Sequence, residues 1–195
     1  MNNQNHPQKG SRITVDPIRN EKDIQRIKKT LRSSPRDLLL FTMGINNGLR
    51  IGDLLKIKVG DVKDLKVGDC LTIREQKTGK DNVLMVNKGV HSVLQDYLSE
   101  RQLSDDDYLF QSRKGNNSPL TVSSVNRMVK GWTFGMKGNF GTHSLRKTFG
   151  YIQRTRFGVS FEVLCRRFNH SNPSTTMRYL GIHSKEVNDI LMNEI

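Results

Sequence analysis

Two short stretches toward the C-terminal end carry side chains suited to phosphate chemistry. Thr142-His143-Ser144-Leu145-Arg146 places a histidine and an arginine three residues apart, which on a helix puts both on one face. Phe168-Asn169-His170 follows, and Tyr179 comes nine residues after His170. Breaking a phosphodiester without a metal requires cations aimed at the non-bridging oxygens, where charge builds in the transition state. Arginine suits that task, being permanently charged and able to grip two oxygens with one fork. A nucleophile has to attack phosphorus, and a general acid has to protonate the leaving 5′ oxygen. Taken singly, each residue also has an ordinary structural explanation. His143 can cap or pack locally, Arg146 can pair with Glu162, and Tyr179 can be a core aromatic whose hydroxyl is satisfied by backbone.

Charge points the same way. The chain of 195 residues carries 32 Lys+Arg against 19 Asp+Glu, a formal net charge of +13 and a pI near 10.0. A field of that sign favours polyanions. It is also uneven: between Thr142 and Leu180 stand Arg146, Lys147, Arg154, Arg156, Arg166, Arg167 and Arg178 against the single acid Glu162. Such a concentration marks a surface that meets phosphates. The acidic run Asp105-Asp106-Asp107 lies well away in sequence and reads as a solvated loop. Two cysteines, Cys70 and Cys165, make neither a disulfide framework nor a metal set and read as buried thiols of a cytosolic protein. No stretch approaches the roughly 18 apolar residues of a membrane span. The start, MNNQNHPQKGSR, lacks the apolar core of a signal peptide and reads as a disordered lead-in over residues 1–19.

The elements that must hold these residues follow from periodicity. Asn20 to Leu31 reads as a helix with Ile24, Ile27 and Leu31 on one face. Pro35 opens a second, which Asn46-Asn47-Gly48 ends, and Leu49 to Ile57 is a short helical piece. Cys70–Arg74 and Val83–Val86 read as strands around the turn Lys77-Thr78-Gly79-Lys80-Asp81. Helices resume with Val90, Val93, Leu94, Tyr97 and Leu98, and then with a Val122, Val125 and Val129 stripe. Thr142 is the expected N-cap of the helix carrying His143 and Arg146. Ser160 caps the next, with Phe161, Val163, Leu164 and Phe168 as core, and Asn172-Pro173-Ser174 opens a last one. From His183 an amphipathic tail carries Val187, Ile190 and Leu191. The fold class is α+β, mostly helical with one small antiparallel sheet.

At this point the chain resembles the catalytic domain of the tyrosine recombinases, the phage integrase family, from about residue 20 onward. That family's pattern is an arginine in a Gly-Leu-Arg-like segment, a hairpin lysine, His-x-x-Arg, a second His or Trp, and a Tyr. Here Gly48-Leu49-Arg50-Ile51-Gly52-Asp53 matches the first, Lys77 in Gln76-Lys77-Thr78-Gly79-Lys80 the second, His143 and Arg146 the third, and His170 and Tyr179 the last two, all in order. Each piece alone is weak; the ordered set is a strong signal. The resemblance implies double-stranded DNA as partner and transesterification through a 3′-phosphotyrosyl link, with no metal, cofactor or ATP. It implies that Tyr179 is the nucleophile, Arg50 and Arg146 clamp the phosphate, Lys77 is the general acid, with Lys80 its rival, and His143 an acid–base helper. His170 would hydrogen-bond a phosphate oxygen, and Asp53 would orient Arg50. It further implies a cytoplasmic, DNA-associated protein of bacterial, phage or mobile-element origin, monomeric when free and tetrameric on paired sites. The catalytic domain would span residues 20–182, and residues 183–195 would dock on a neighbouring protomer.

Two departures stand out. The family usually has Leu-Gly-His where this chain has Phe168-Asn169-His170, a place where Asn tolerates left-handed backbone. A separate N-terminal helical domain usually grips the other side of the DNA, and the lead-in is too short to be one. A fragment of a longer integrase is therefore the preferred reading, ahead of a relative consisting of a catalytic domain alone. The rivals in function are an inactive DNA-binding regulator of the same fold, a type IB topoisomerase-like enzyme, and an unrelated basic nucleic-acid-binding module. The presence of both arginines and the tyrosine argues against the first, and the segment around Tyr179 resembles the recombinases rather than the second.

Overall fold

The computed structural model describes residues 14–113 and 117–182, together with 192 and 194. Helix α1 (Glu21–Thr30) is capped by the Asn20 side chain and continues into a 3-10 turn at Leu31–Ser33. Its apolar stripe, Ile24, Ile27 and Leu31, is buried. Helix α2 (Pro35–Asn47) starts on a proline, whose missing N–H costs nothing in a first turn, and runs through the buried Leu39, Leu40, Phe41 and Met43. It stops because Gly48 turns left-handed at φ 59°, with the Phe149 ring 2.4 Å from where a Cβ would lie. Only glycine meets both demands.

The short α3 (Ile51–Leu54) follows, with Arg50 as its extended N-cap. Strands β1 (Cys70–Arg74) and β2 (Asp81–Met85) pair antiparallel, with Thr72 opposite Val83. Gly79 supplies the positive φ of their turn. Helices α4 (Lys88–Ser99) and α5 (Val122–Trp132) are capped by Asn87 and Thr121. The α6 helix (Thr142–Phe157) then leads to α7 (Phe161–Phe168) and α8 (Pro173–Leu180), capped by Ser160 and Asn172. The α+β class holds: eight α-helices and one two-stranded sheet among the described residues.

The buried apolar residues form two bodies. The large one gathers α1 to α5 and Leu145 of α6. The small one consists of Leu164, Phe168, Leu180 and Ile182, with Phe149, Tyr151, Phe161 and Tyr179 packed against it. Gly150 lets the two C-terminal helices press onto α6, since a Cβ there would lie 2.7 Å from the Phe168 ring and 2.8 Å from Leu180.

Several expectations are corrected. The cap of α6 is Gly141, not Thr142, which is the first helical residue; Gly141 N–H donates to Ser144 Oγ (3.1 Å) and Thr142 N–H to Asn126 Oδ1 (3.2 Å). Val122 and Val163 are exposed, because each stands in the first turn of its helix, ahead of the stripe that packs inward. Cys70 is exposed at the outer edge of β1, while Cys165 is buried. Asp105 and Asp106 are exposed as expected, but they also pair with Lys63 (2.7 Å) and Lys58 (3.1 Å). No described helix is long and apolar enough to cross a membrane. The expected disordered lead-in ends earlier than residue 19: Ile18 is fully buried in the core and its N–H donates to Thr148 Oγ1 (2.8 Å), and Asp16 N–H donates to the Asn139 carbonyl (2.7 Å). Residues 1–13 and the tail hydrophobics Val187, Ile190 and Leu191 lie outside the described residues.

Candidate active site

The turn between α2 and α3 is where the predicted residues begin to meet. Arg50, Asp53, Lys77, His143 and Arg146 line one pocket together with Ile51, Gly52, Gln76, Val122 and Thr142. Lys77 lines it and Lys80 does not, because the hairpin turn carries Lys77 on the side facing α3. Arg146 rises from the first turns of α6 and is almost wholly buried. Its fork donates to the Gly48 carbonyl (2.6 Å) and to the Phe168 carbonyl (2.8 Å), and the guanidinium lies 4.7 Å over the Phe168 ring. Loss of water pulls its pKa down to about 10, so it keeps its charge near neutral pH. Arg146 therefore spans the site, from the end of α2 to the end of α7.

His170 and Tyr179 adjoin from the other side. Asn169 takes the left-handed conformation (φ 53°) that closes α7, the place where the family usually has glycine. The turn then delivers His170, whose Nδ1 lies 2.9 Å from the Oγ of the buried Thr176. That leaves Nε2 free of the bond that fixes the ring. Desolvation, helped by the charges of Arg146 and Arg50, depresses its pKa to about 4. The Tyr179 ring stacks edge-on against His170 (5.2 Å between centroids) and Phe168 (5.6 Å), with Lys147 Nζ 4.9 Å from its centre. The Tyr179 Oη is enclosed without an aligned hydrogen-bond partner. Burial pushes the phenol up to about 12 against the pull of Arg146 and Arg50. A core tyrosine satisfied by backbone does not look like this. His143 is exposed at the pocket's edge; reduced hydration and then the charges of Arg146, Arg50, Lys77 and Lys147 hold it below the usual histidine range. Its ring is thus neutral near pH 7.

The expectation for Asp53 meets a different arrangement. Its buried Oδ1 accepts from the Gln76 backbone N–H (3.0 Å), which fastens the hairpin to α3. The carboxylate that pairs with Arg50 belongs to Glu75, with Arg50 Nη1 at 2.6 Å from Oε2. Glu75 also lies 3.9 Å from Arg146 and accepts from Thr78 Oγ1 (2.7 Å) and Asn82 Nδ2 (2.9 Å). Burial alone would raise its pKa, but these hydrogen bonds outweigh that and hold it at about 2. Sequence reasoning missed Glu75. The signal was there: continuing the alternation of β1 puts it on the inward side with Leu71 and Ile73, where an acid has to be paired.

The fold is a mostly helical domain with one hairpin, and its pocket groups two arginines, a lysine and a histidine, with the half-buried Tyr179 adjoining through His170 and Phe168. The chain belongs to the phage integrase family, whose profile matches residues 19–186. It is 36% identical over 173 residues to the probable integrase/recombinase YoeC of Bacillus subtilis, covering 86% of this chain and 90% of that protein. It is 28% identical to a tyrosine recombinase of Pseudothermotoga lettingae, covering 87% of this chain but 57% of that one. Among solved structures, XerA recombinase superposes with a TM-score of 0.74 at 20% identity, over 95% of this chain and 68% of that one. XerH bound to its palindromic difH substrate superposes at 0.73 and 19%, over 93% and 53%. These two likenesses establish the shared fold.

Proposed function

We propose that this chain cleaves and rejoins double-stranded DNA at a specific site through a covalent 3′-phosphotyrosyl intermediate. The observation that carries the reading is the convergence of Arg50, Lys77, His143 and Arg146 on one pocket, with Arg146 linking it to the end of α7, where the turn with His170 begins and Tyr179 of α8 packs. The two guanidinium groups grip the non-bridging oxygens of the scissile phosphate. Tyr179 Oη attacks phosphorus and the bond to the 5′ oxygen breaks. Lys77 gives that oxygen its proton, and His143 acts as the acid–base helper that takes the phenolic one. His170, its Nδ1 tied to Thr176, presents Nε2 to a phosphate oxygen. One phosphodiester replaces another, so resealing by the 5′-hydroxyl needs no external energy source. Burial holds the phenol up at about 12, so Tyr179 carries its proton before DNA binds. On paired sites the reaction would run in a tetramer, with the segment after residue 182 docking on a neighbouring protomer.

Covalent trapping tests this. The protein is incubated with nicked suicide duplexes made from a fragment library of its own replicon, then denatured. The expected product is a DNA-linked chain mapped to Tyr179 and absent from Tyr179→Phe, which still binds the duplex. Because the phenolic oxygen makes no aligned bond in the fold, Tyr179→Phe should melt within a degree or two of the wild type. Binding without any adduct, from the wild type and from a longer N-terminal version alike, would leave only a DNA-binding role.

A further inference from the structure

Glu75 is 1% exposed, and a carboxylate so deep is destabilising unless its partners are well arranged. Here they are drawn from three places. Arg50 comes from the α2–α3 turn, Thr78 from the hairpin turn, and Asn82 from β2. Arg146 of α6 lies 3.9 Å away on the other oxygen. Two guanidinium groups lining one pocket repel each other, and the Glu75 carboxylate is the counter-charge within reach of both. Lys77 is meanwhile held on both flanks: Gln76 by Asp53, and Thr78 by Glu75 itself.

We infer that Glu75 is a positioning residue for the cleavage reaction: its carboxylate aims the Arg50 fork, screens it from Arg146, and fixes the turn that presents Lys77. The inference rests on the proposed reading that the two arginines grip the scissile phosphate. Glu75 itself touches no reacting atom; an acid facing the phosphate would repel it. Its effect is to spare the phosphate the work of ordering the site, so it belongs to the rate of cleavage and not to the affinity for DNA.

The test uses a nicked duplex that traps the wild-type chain. In Glu75→Gln one amide oxygen still accepts from Thr78 or Asn82, while the negative charge is gone. Its DNA affinity should stay within about threefold of wild type and its rate of adduct formation should fall at least about tenfold. Glu75→Asp, which keeps the charge on a shorter arm, should recover part of that rate. Thr78→Val, at an exposed position, should fold normally and slow the adduct by about threefold or more. The inference is overturned if Glu75→Gln traps DNA at the wild-type rate, or if Glu75→Asp and Thr78→Val both do. It is overturned equally if Glu75→Gln loses binding and cleavage in the same proportion, which marks a purely structural role. A wild-type chain that binds DNA and yields no adduct brings down the parent reading, a result distinct from any of these.

Discussion

Lys147 Nζ lies 4.9 Å from the centre of the Tyr179 ring. The lysine is almost fully buried, and loss of water lowers its pKa. It follows Arg146 directly in α6, so one turn of that helix presents a cation to the pocket of Arg50, Lys77 and His143 and another to the flank of the tyrosine. A desolvated cation against an aromatic face is worth up to about 2 kcal/mol. Lys147→Met keeps the length and apolar stem and removes the charge. Adduct formation should slow by about threefold to tenfold while the melting temperature stays level or rises, since a buried charge has been removed. Unchanged kinetics in that variant would mean that the contact is packing alone.

Arg146 ties the Gly48 carbonyl to the Phe168 carbonyl and so has two effects that one substitution mixes. Arg146→Ala should lose about 3–4 kcal/mol of transition-state stabilisation. It should also destabilise the fold by about 1.5–3 kcal/mol for each charged bond lost. Arg146→Lys separates the two: it should recover part of the melting temperature but little of the cleavage rate, because an ammonium cannot form the same fork. If Arg146→Ala traps DNA nearly as fast as wild type, its role as a clamp is refuted.

The depressed pKa of His170 sets a direction for acid sensitivity. The unfolded chain takes up that proton near pH 6.5, the folded chain only near 4. Between those values the unfolded state binds more protons, so stability falls as pH drops and is fully present above pH 6.5. His143 acts in the same direction. Glu75, held at about 2 against an ordinary 4.5, keeps its share of stability until the pH falls below 4.5. Thermal melts from pH 7 to 5 should therefore decline, and less steeply in His170→Asn. Equal slopes in the two proteins would contradict the assignment.

How far the sequence revealed this arrangement depends on what each residue's position rests on. Several helix limits marked by local chemistry were legible: Ser160 caps, Asn172 and Pro35 open their helices, and Gly48 stops one, whereas at α6 Thr142 was read as the cap and Gly141 holds that place. The left-handed turn at Asn169 was legible for the same reason, since Asn tolerates that backbone. Arg50, Lys77, His143 and Arg146 could be picked out by order along the chain, and the fold brings those four to one pocket. What stayed hidden was long-range pairing. Nothing local says that Arg50 meets Glu75 instead of Asp53, because that pairing depends on how the hairpin docks on α3. Val122 and Val163 were misread because spacing gives a stripe but not where along the helix its packing begins.

The division of the core into a large and a small body gives the two halves of the site different resistance to opening. Arg50, Lys77 and His143 are carried by elements packed on the large body, whereas Tyr179 rides on a few side chains around Phe168 and Leu180. Local opening follows the amount of buried apolar contact, so the C-terminal pair of helices opens at a lower free energy than the rest. Tyr179 would therefore be withdrawn first, while the pocket of Arg50, Lys77 and His143 stays folded.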